Sequence, residues 1–454
     1  MPDFRTDAIT REAVEPHGAV GTVDAPRRGR WIDVWDPEDA TFWEQTGQRV
    51  ARRNLWPSIF AEFLGFSVWQ LWSIVVVSLP AAGFGYSTDQ LFWLVAVPSL
   101  VGATLRLPYT FAVPRFGGRN WTVVSALLLL IPTSGLAYFV TRPDTPFWLM
   151  ALVAATAGFG GGNFASSMTN ISFFYPERSK GAALGINAAG GNLGVAIVQL
   201  LVPLVIVAGA GLSLERAGLM WIPLIVISAA LAWRLMDNLS GATSSFRTSI
   251  VAAKRAHTWV ISFLYIGTFG SFIGFSAAFP LLIKTSFPDV PAVRIAFIGA
   301  LVGSLARPLG GKLSDRLGGA RITVAVFVVM GGGILAAIAS LNAGSFWAFL
   351  ASFVVLFIAS GAGNGSTYRM IPAVFRSITG NDLPRARREA AACIGIASAI
   401  GAYGGFLVPR GFAISTERYG SLVPALYTFC AFYAVCLVVT YLCYIRGPLG
   451  RERV

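Results

Sequence analysis

An arginine stands in the middle of an apolar stretch twice in this chain, at the same place in two versions of one pattern. The first version is GATLRLPYTFAVPRFGGR, Gly102 to Arg119, and the second, 201 positions on, is GSLARPLGGKLSDRLGGAR, Gly303 to Arg321. Arg106 maps onto Arg307, Gly102 onto Gly303, and Gly117-Gly118 onto Gly318-Gly319. A charged side chain in hydrocarbon is costly and turns toward a bundle interior or a cavity. Two such arginines at one repeat offset suggest an anion held between two related halves. The plainer alternative is an arginine tied to helix carbonyls or to a single acid.

The surrounding sequence supports a membrane setting. Of 454 residues 55% are hydrophobic and 13% charged, and the mean hydropathy is +0.65, values that fit a polytopic membrane protein. Twelve apolar segments of bilayer-crossing length are expected as helices, at about 54–81, 88–114, 120–141, 146–175, 180–210, 217–237, 257–283, 293–315, 320–341, 345–376, 387–412 and 422–445. Ser87-Thr88-Asp89-Gln90 has the pattern of a capping box and sets the start of the second. Pro98 and Pro108 inside it are expected to bend it.

Residues 1 to about 35 lack apolar periodicity and the order of a signal peptide, and are expected as a disordered cytoplasmic tail. Trp31, Trp35, Phe42 and Trp43, interleaved with acids, form either an interfacial docking segment or a solvated turn. The domain plan is a tail at 1–53, a six-helix bundle at 54–237, a polar linker at 238–256, a second bundle at 257–446 and a tail at 447–454.

The net charge of +13 is unevenly distributed. With the N-terminus inside, Arg49, Arg52, Arg53, Arg115, Arg119, Arg178, Lys180, Lys254, Arg255, Arg385, Arg387 and Arg388 fall on the inner side. Arg142, Arg216, Lys284, Arg294, Arg410 and Arg418 fall outside. This is the positive-inside bias, so both termini are expected in the cytoplasm and the basic charge reflects topology instead of nucleic-acid binding. His17 and His257 are unpaired in sequence, and Cys393, Cys430, Cys436 and Cys443 lie in apolar segments without a CxxC. No metal, cofactor, disulfide or catalytic constellation is implied.

The repeat extends beyond the arginines. Gly160, Gly162, Asn163 and Phe174 recur as Gly361, Gly363, Asn364 and Phe375, while Gly185, Gly191 and Gly194 recur as Gly395, Gly401 and Gly404. Two six-helix halves with a site at their interface is the plan of a secondary transporter. Within GGKLSDRLGGAR, the Gly-x-x-x-Asp-Arg-x-Gly core resembles the loop motif of the major facilitator superfamily, with Asp315 and Arg316 as an expected conformational latch. Arg106 and Arg307 each precede a helix-end arginine (Arg115, Arg316) by nine residues, about 13 Å along a helix. Two guanidiniums at one depth repel unless an anion bridges them, and their planar forks suit a flat oxyanion.

Longer stretches are more specific. WDPEDATFW, TDQLFWLVAVPSLVGATLRLPYTF, GGNFASSMTNISFFYP, GAALGINAAGGNLGV, LYIGTFGSFIGFSAAF and LSDRLGG together resemble the NarK-type bacterial nitrate/nitrite porters of the major facilitator superfamily, from Trp35 onward. The resemblance implies an all-α fold of twelve transmembrane helices in two pseudo-symmetric halves. It also implies nitrate import in exchange for nitrite by alternating access, in the inner membrane. It implies that Arg106 and Arg307 bind the anion, that Phe164 and Phe269 sandwich it, that Tyr265 hydrogen-bonds it, and that Asn192 lies in the pocket wall. The signature glycines are Gly185, Gly190, Gly191, Gly194, Gly401, Gly404 and Gly405. Nitrate, nitrite and the lipid bilayer are the expected partners, with the chain acting as a monomer and serving nitrate respiration or assimilation.

Two residues stand apart. Glu62 lies nine residues past Arg53, at roughly the depth of Arg106 by helical rise. It could pair with Arg106, be satisfied by Ser or Asn groups, or carry a proton and make the protein a nitrate/proton symporter. Arg369 is expected to snorkel to the cytoplasmic interface. The other alternative is a membrane sensor without flux.

Overall fold

The computed structural model describes residues 30–209, 211–242, 246–380, 382–447 and 449. The expected disordered tail up to residue 29 and most of the segment 447–454 lie outside the described residues.

Among the described residues, twelve long helices follow one another. They are α1 (Ala40–Val75), α2 (Thr88–Phe116), α3 (Gly118–Phe139), α4 (Phe147–Phe174), α5 (Glu177–Ile206), α6 (Arg216–Leu235), α7 (Ala256–Ser286), α8 (Phe297–Leu317), α9 (Gly319–Asn342), α10 (Phe346–Ile378), α11 (Arg385–Tyr419) and α12 (Val423–Arg446). Eleven are long and apolar enough to cross a membrane; α8 is the exception, because Arg307 and Lys312 stand inside it. The capping box forms as expected: the Ser87 hydroxyl accepts from the Gln90 amide, and the Gln90 side chain accepts from the Ser87 amide. The second helix runs unbroken through Pro98, Pro108 and Pro114.

The first helix begins earlier than its polar sequence suggests. Asp39 caps it by accepting from the Phe42 amide, and a π-helical turn, Trp43–Gly47, carries it into the apolar run. Residues 40–53 therefore extend α1 and are not part of a tail. The segment before it is docked: β1 (Trp31–Ile32) pairs in parallel with β2 (Asn238–Leu239), and the Trp35 indole donates to the Phe173 carbonyl at 3.1 Å. Asp237, buried just past α6, is held by Arg53 at 2.6 Å and by the Asn54 amide at 2.9 Å, which ties the first helix to the last of its half. The 238–256 linker contains this strand and a short helix, Phe246–Ala253.

Helices in a bilayer gain little from the hydrophobic effect on meeting one another, so association rests on close packing of small residues and on hydrogen bonds between helices. Both appear where the halves need them. A Cβ on Gly160 would strike the Gly65 carbonyl, and one on its repeat partner Gly361 would strike that of Gly303. The repeated turns are equivalent too: Gly117 and Gly318 have φ of +86° and +92°, a region that favours glycine.

Candidate functional site

Arg106 is fully buried in the middle of α2. Its Nε donates to the Gly161 carbonyl at 3.1 Å and its Nη1 to the Ser398 carbonyl of α11 at 2.7 Å, while Nη2 has no partner. The guanidinium carbon lies 4.6 Å from the Phe164 ring centre, 5.2 Å from that of Phe269 and 5.4 Å from that of Trp69. Cations gain from such contacts with ring faces, most when desolvated. Arg106 is thus bound to carbonyls, as the plainer reading allowed, yet keeps one N–H edge unspent.

Arg307, on α8, is 8% exposed, leaves Nη1 without a partner, and sits 5.6 Å from the Tyr368 ring centre. Ring contacts connect the two arginines. Phe269 stacks on Tyr265 at 5.2 Å and 18°, and Tyr265 meets Tyr368 at 5.3 Å. Tyr265 and Phe269 share a face, as their spacing suggests, across a π-helical turn, Ile266–Gly270. Such turns recur at functional sites because they re-aim side chains without ending the helix.

The Tyr265 hydroxyl donates to Asn364 Oδ1 at 2.6 Å, which leaves the Asn364 amide nitrogen without a partner. The Tyr368 hydroxyl and Asn192 Oδ1 are buried and unpartnered as well. Buried polar groups are ordinarily satisfied, and here a cluster of unspent donors (Arg106 Nη2, Arg307 Nη1, Asn364 Nδ2, Tyr368 hydroxyl) leaves the centre chemically able to receive an acceptor-rich ligand. Trp69, Asn364 and Tyr368 were not singled out as site residues from sequence. Asn364 stood out there only as a repeat partner, and Tyr368 lies one helical turn beyond it. The repeat partners have diverged: Asn163 spends its side chain on Ser125, Ser166 and the Ala61 carbonyl.

The signature glycines mostly bring helices together. A Cβ on Gly190 would come within 2.5 Å of Ile59, and one on Gly191 within 2.7 Å of Glu62. Gly194 faces the Phe63 carbonyl, Gly401 faces Tyr265, Gly404 faces Gly270 and Gly405 faces Ser99. Gly185 meets open space, so close packing does not account for it.

Glu62 forms no ion pair with Arg106. It is fully buried, and its Oε2 accepts from the Ser167 hydroxyl and from Asn187 Nδ2, while Oε1 is unpartnered. Arg369 does not simply snorkel: its Nε donates to Asp315 Oδ1, linking α10 to α8. Asp315 thus engages Arg369, while Arg316 is exposed at the end of α8.

Among the described residues, hydrogen bonds between the halves sit at the level of Arg106 or nearer the end opposite the linker. Arg410 pairs with Asp89 at 2.7 Å and lies 4.1 Å from the Trp93 ring centre. Gln199 donates to the Ser276 carbonyl at 2.7 Å, and the Thr104 and Tyr403 hydroxyls meet at 2.9 Å. The Ser304 hydroxyl donates to the Asn192 carbonyl at 3.1 Å. The end opposite the linker is the joined end.

Two six-helix bundles around a buried cationic seam make a membrane transporter, and comparisons with known proteins agree. The Major Facilitator Superfamily profile matches residues 55–409. The nitrate/nitrite transporter NarU of Escherichia coli is 45% identical over 449 residues, spanning 92% of this chain and 97% of the relative. A probable nitrate/nitrite antiporter, NarK2 of Thermus thermophilus, is 37% identical, spanning 92% and 97%. Among solved structures, a D-xylose–proton symporter superposes with a TM-score of 0.65 at 14% identity, over 87% of this chain and 99% of the other. A bacterial homologue of the human lysosomal transporter Spinster, inward-facing and occupied, superposes with a TM-score of 0.64 at 15% identity, over 88% and 97%. These two show the fold alone. The chain belongs to the Major Facilitator Superfamily and, within it, to the NarK-type nitrate/nitrite porters.

Proposed function

We propose that this protein exchanges nitrate for nitrite across the bacterial inner membrane by alternating access. The observation that carries this reading is the pair of repeat-related buried guanidiniums on opposite sides of the seam, with Arg106 Nη2 and Arg307 Nη1 both buried and unspent. Both anions are small, planar and monovalent, and an arginine fork presents two coplanar donors to such a group. Rings stacked against the Arg106 guanidinium also cover an anion hydrogen-bonded in its plane, which is the part assigned to Phe164 and Phe269. Tyr265 and Asn364, with Asn192 in the wall, supply the polar edge. The relatives' names supply the anions.

The positive-inside bias supports a cytoplasmic linker end. The joined end then faces outward, where Arg410–Asp89 and Gln199 hold the two halves closed. Rocking about the centre exchanges that closure for one on the cytoplasmic side, where Asp315 and Arg369 lie. An anion offsets the repulsion of two buried cations, so a loaded carrier crosses more readily than an empty one. The test is counterflow: labelled nitrate enters proteoliposomes loaded with nitrite faster than sulfate-loaded ones. Equal rates would refute exchange.

A further inference from the structure

Glu62 is not used by the exchange cycle, and its surroundings are unusual for a carboxylate. It is fully buried on α1, makes no ion pair, and leaves Oε1 unpartnered against Gly191, whose missing Cβ makes room for that oxygen. The helices packed directly on it, α4 and α5, offer only neutral groups: Ser167, Asn187 and Gly191. The titratable groups facing it lie across the seam and the centre: Arg307 on α8, Arg106 on α2 and Tyr368 on α10. A carboxylate removed from water without a paired cation is strongly penalised, and gaining a proton relieves the penalty.

Its hydrogen-bonded neighbours also lead somewhere. Ser167 Oγ meets Ser58 Oγ at 3.0 Å, and Ser58 lies one helical turn nearer the linker end than Glu62. Asn187 likewise stands on the linker side of Gly191 along α5. The acid is therefore connected by hydroxyl and amide groups toward the linker end of the bundle, opposite the joined end.

We propose that Glu62 is a proton-binding site that gives this transporter a second mode, net nitrate uptake together with one proton, when no anion is available for exchange. The proposal rests on the exchange reading for the identity of the anion and adds a return path for the empty carrier. Empty, the centre holds two guanidiniums and an ionised Glu62, a net charge of one positive. With nitrate bound and Glu62 protonated the net charge is again one positive. Nitrate and proton load together, cross together and leave together; no covalent bond changes, and one H⁺ accompanies one NO₃⁻. Without the acid, the empty centre keeps both positive charges and returns poorly, which confines a carrier to exchange.

The experiment uses the full-length protein in nitrite-free proteoliposomes containing pyranine, with the membrane potential clamped at zero by potassium and valinomycin. External nitrate is expected to acidify the lumen of wild-type vesicles as nitrate enters, one proton per anion. An acid exterior accelerates the uptake. Folded, monodisperse Glu62→Gln loses the nitrate-driven acidification and the acceleration. Nitrate entering the wild type with no change in lumen pH overturns the proposal, and so does acidification by Glu62→Gln equal to wild type. No net nitrate movement in nitrite-free vesicles, with exchange intact in nitrite-loaded ones, also overturns it while leaving the exchange reading standing. Absence of counterflow in nitrite-loaded vesicles refutes exchange instead. The wild-type pH record decides the matter even where Glu62→Gln does not assemble.

Discussion

Replacing Arg307 by lysine isolates the role of one fork. Among the described residues Arg307 makes no hydrogen bond or ion pair to the protein, and its guanidinium touches the Tyr368 ring at 5.6 Å. Arg307→Lys keeps the charge and removes one of the coplanar donors offered to an oxyanion. A hydrogen bond to a charged partner is worth roughly 1.5–3 kcal/mol, and a factor of ten in affinity is about 1.4 kcal/mol. Nitrate binding is therefore expected to weaken about 10- to 150-fold. The unliganded protein, having lost no internal hydrogen bond, should change by no more than ~0.5 kcal/mol. Nitrate titration by calorimetry, with thermal unfolding of the nitrate-free protein in the same detergent, reads both. Affinity within about threefold of wild type, under 1 kcal/mol, refutes the assignment of Arg307 to the anion. Arg106→Lys provides the contrast, because it also strips donors from the Gly161 and Ser398 carbonyls. It should destabilise the empty protein as well.

Other substitutions probe the scaffold. Gly160→Ala places a methyl group against the Gly65 carbonyl; overpacking of this kind costs about 1–3 kcal/mol, so the melting temperature falls, and an unchanged value contradicts the close approach of α4 to α1. Asp89→Asn removes the carboxylate that Arg410 holds at the joined end. A part-exposed pair is worth roughly 0.2–1 kcal/mol, so a cysteine introduced at buried Ser99, in a background lacking the four native cysteines, should react up to a few-fold faster with an impermeant maleimide from outside. Unchanged labelling refutes the gate.

The fold was legible because a bilayer imposes a simple rule: every crossing segment needs a long apolar run. The repeat of Arg106 at Arg307 exposed the two halves. What failed were positions governed by contacts distant in sequence. The start of α1 was missed because Glu44, Arg49, Arg52 and Arg53 read as tail, whereas capping by Asp39 and docking of Trp35 on Phe173 make them helical. Glu62 had three open readings because its partners, Ser167 and Asn187, lie 105 and 125 residues away. Arg369 read as a snorkelling side chain until Asp315, 54 positions earlier, came beside it. Within the centre, charge and repeat symmetry pointed to the arginines. The aromatic bridge through Tyr368 and the spare Asn364 amide follow from packing, which no spacing rule announces.

A structure of the nitrate-bound protein, at a resolution that defines the anion, tests whether Arg106 and Arg307 hold it between them. Density is expected for one planar anion between Arg106 and Arg307, covered by Phe164 and Phe269 and within hydrogen-bond distance of an unspent N–H of each arginine. Nitrate bound instead among the exposed arginines near Asp315, with the Arg106–Arg307 centre unchanged from the nitrate-free protein, would contradict it.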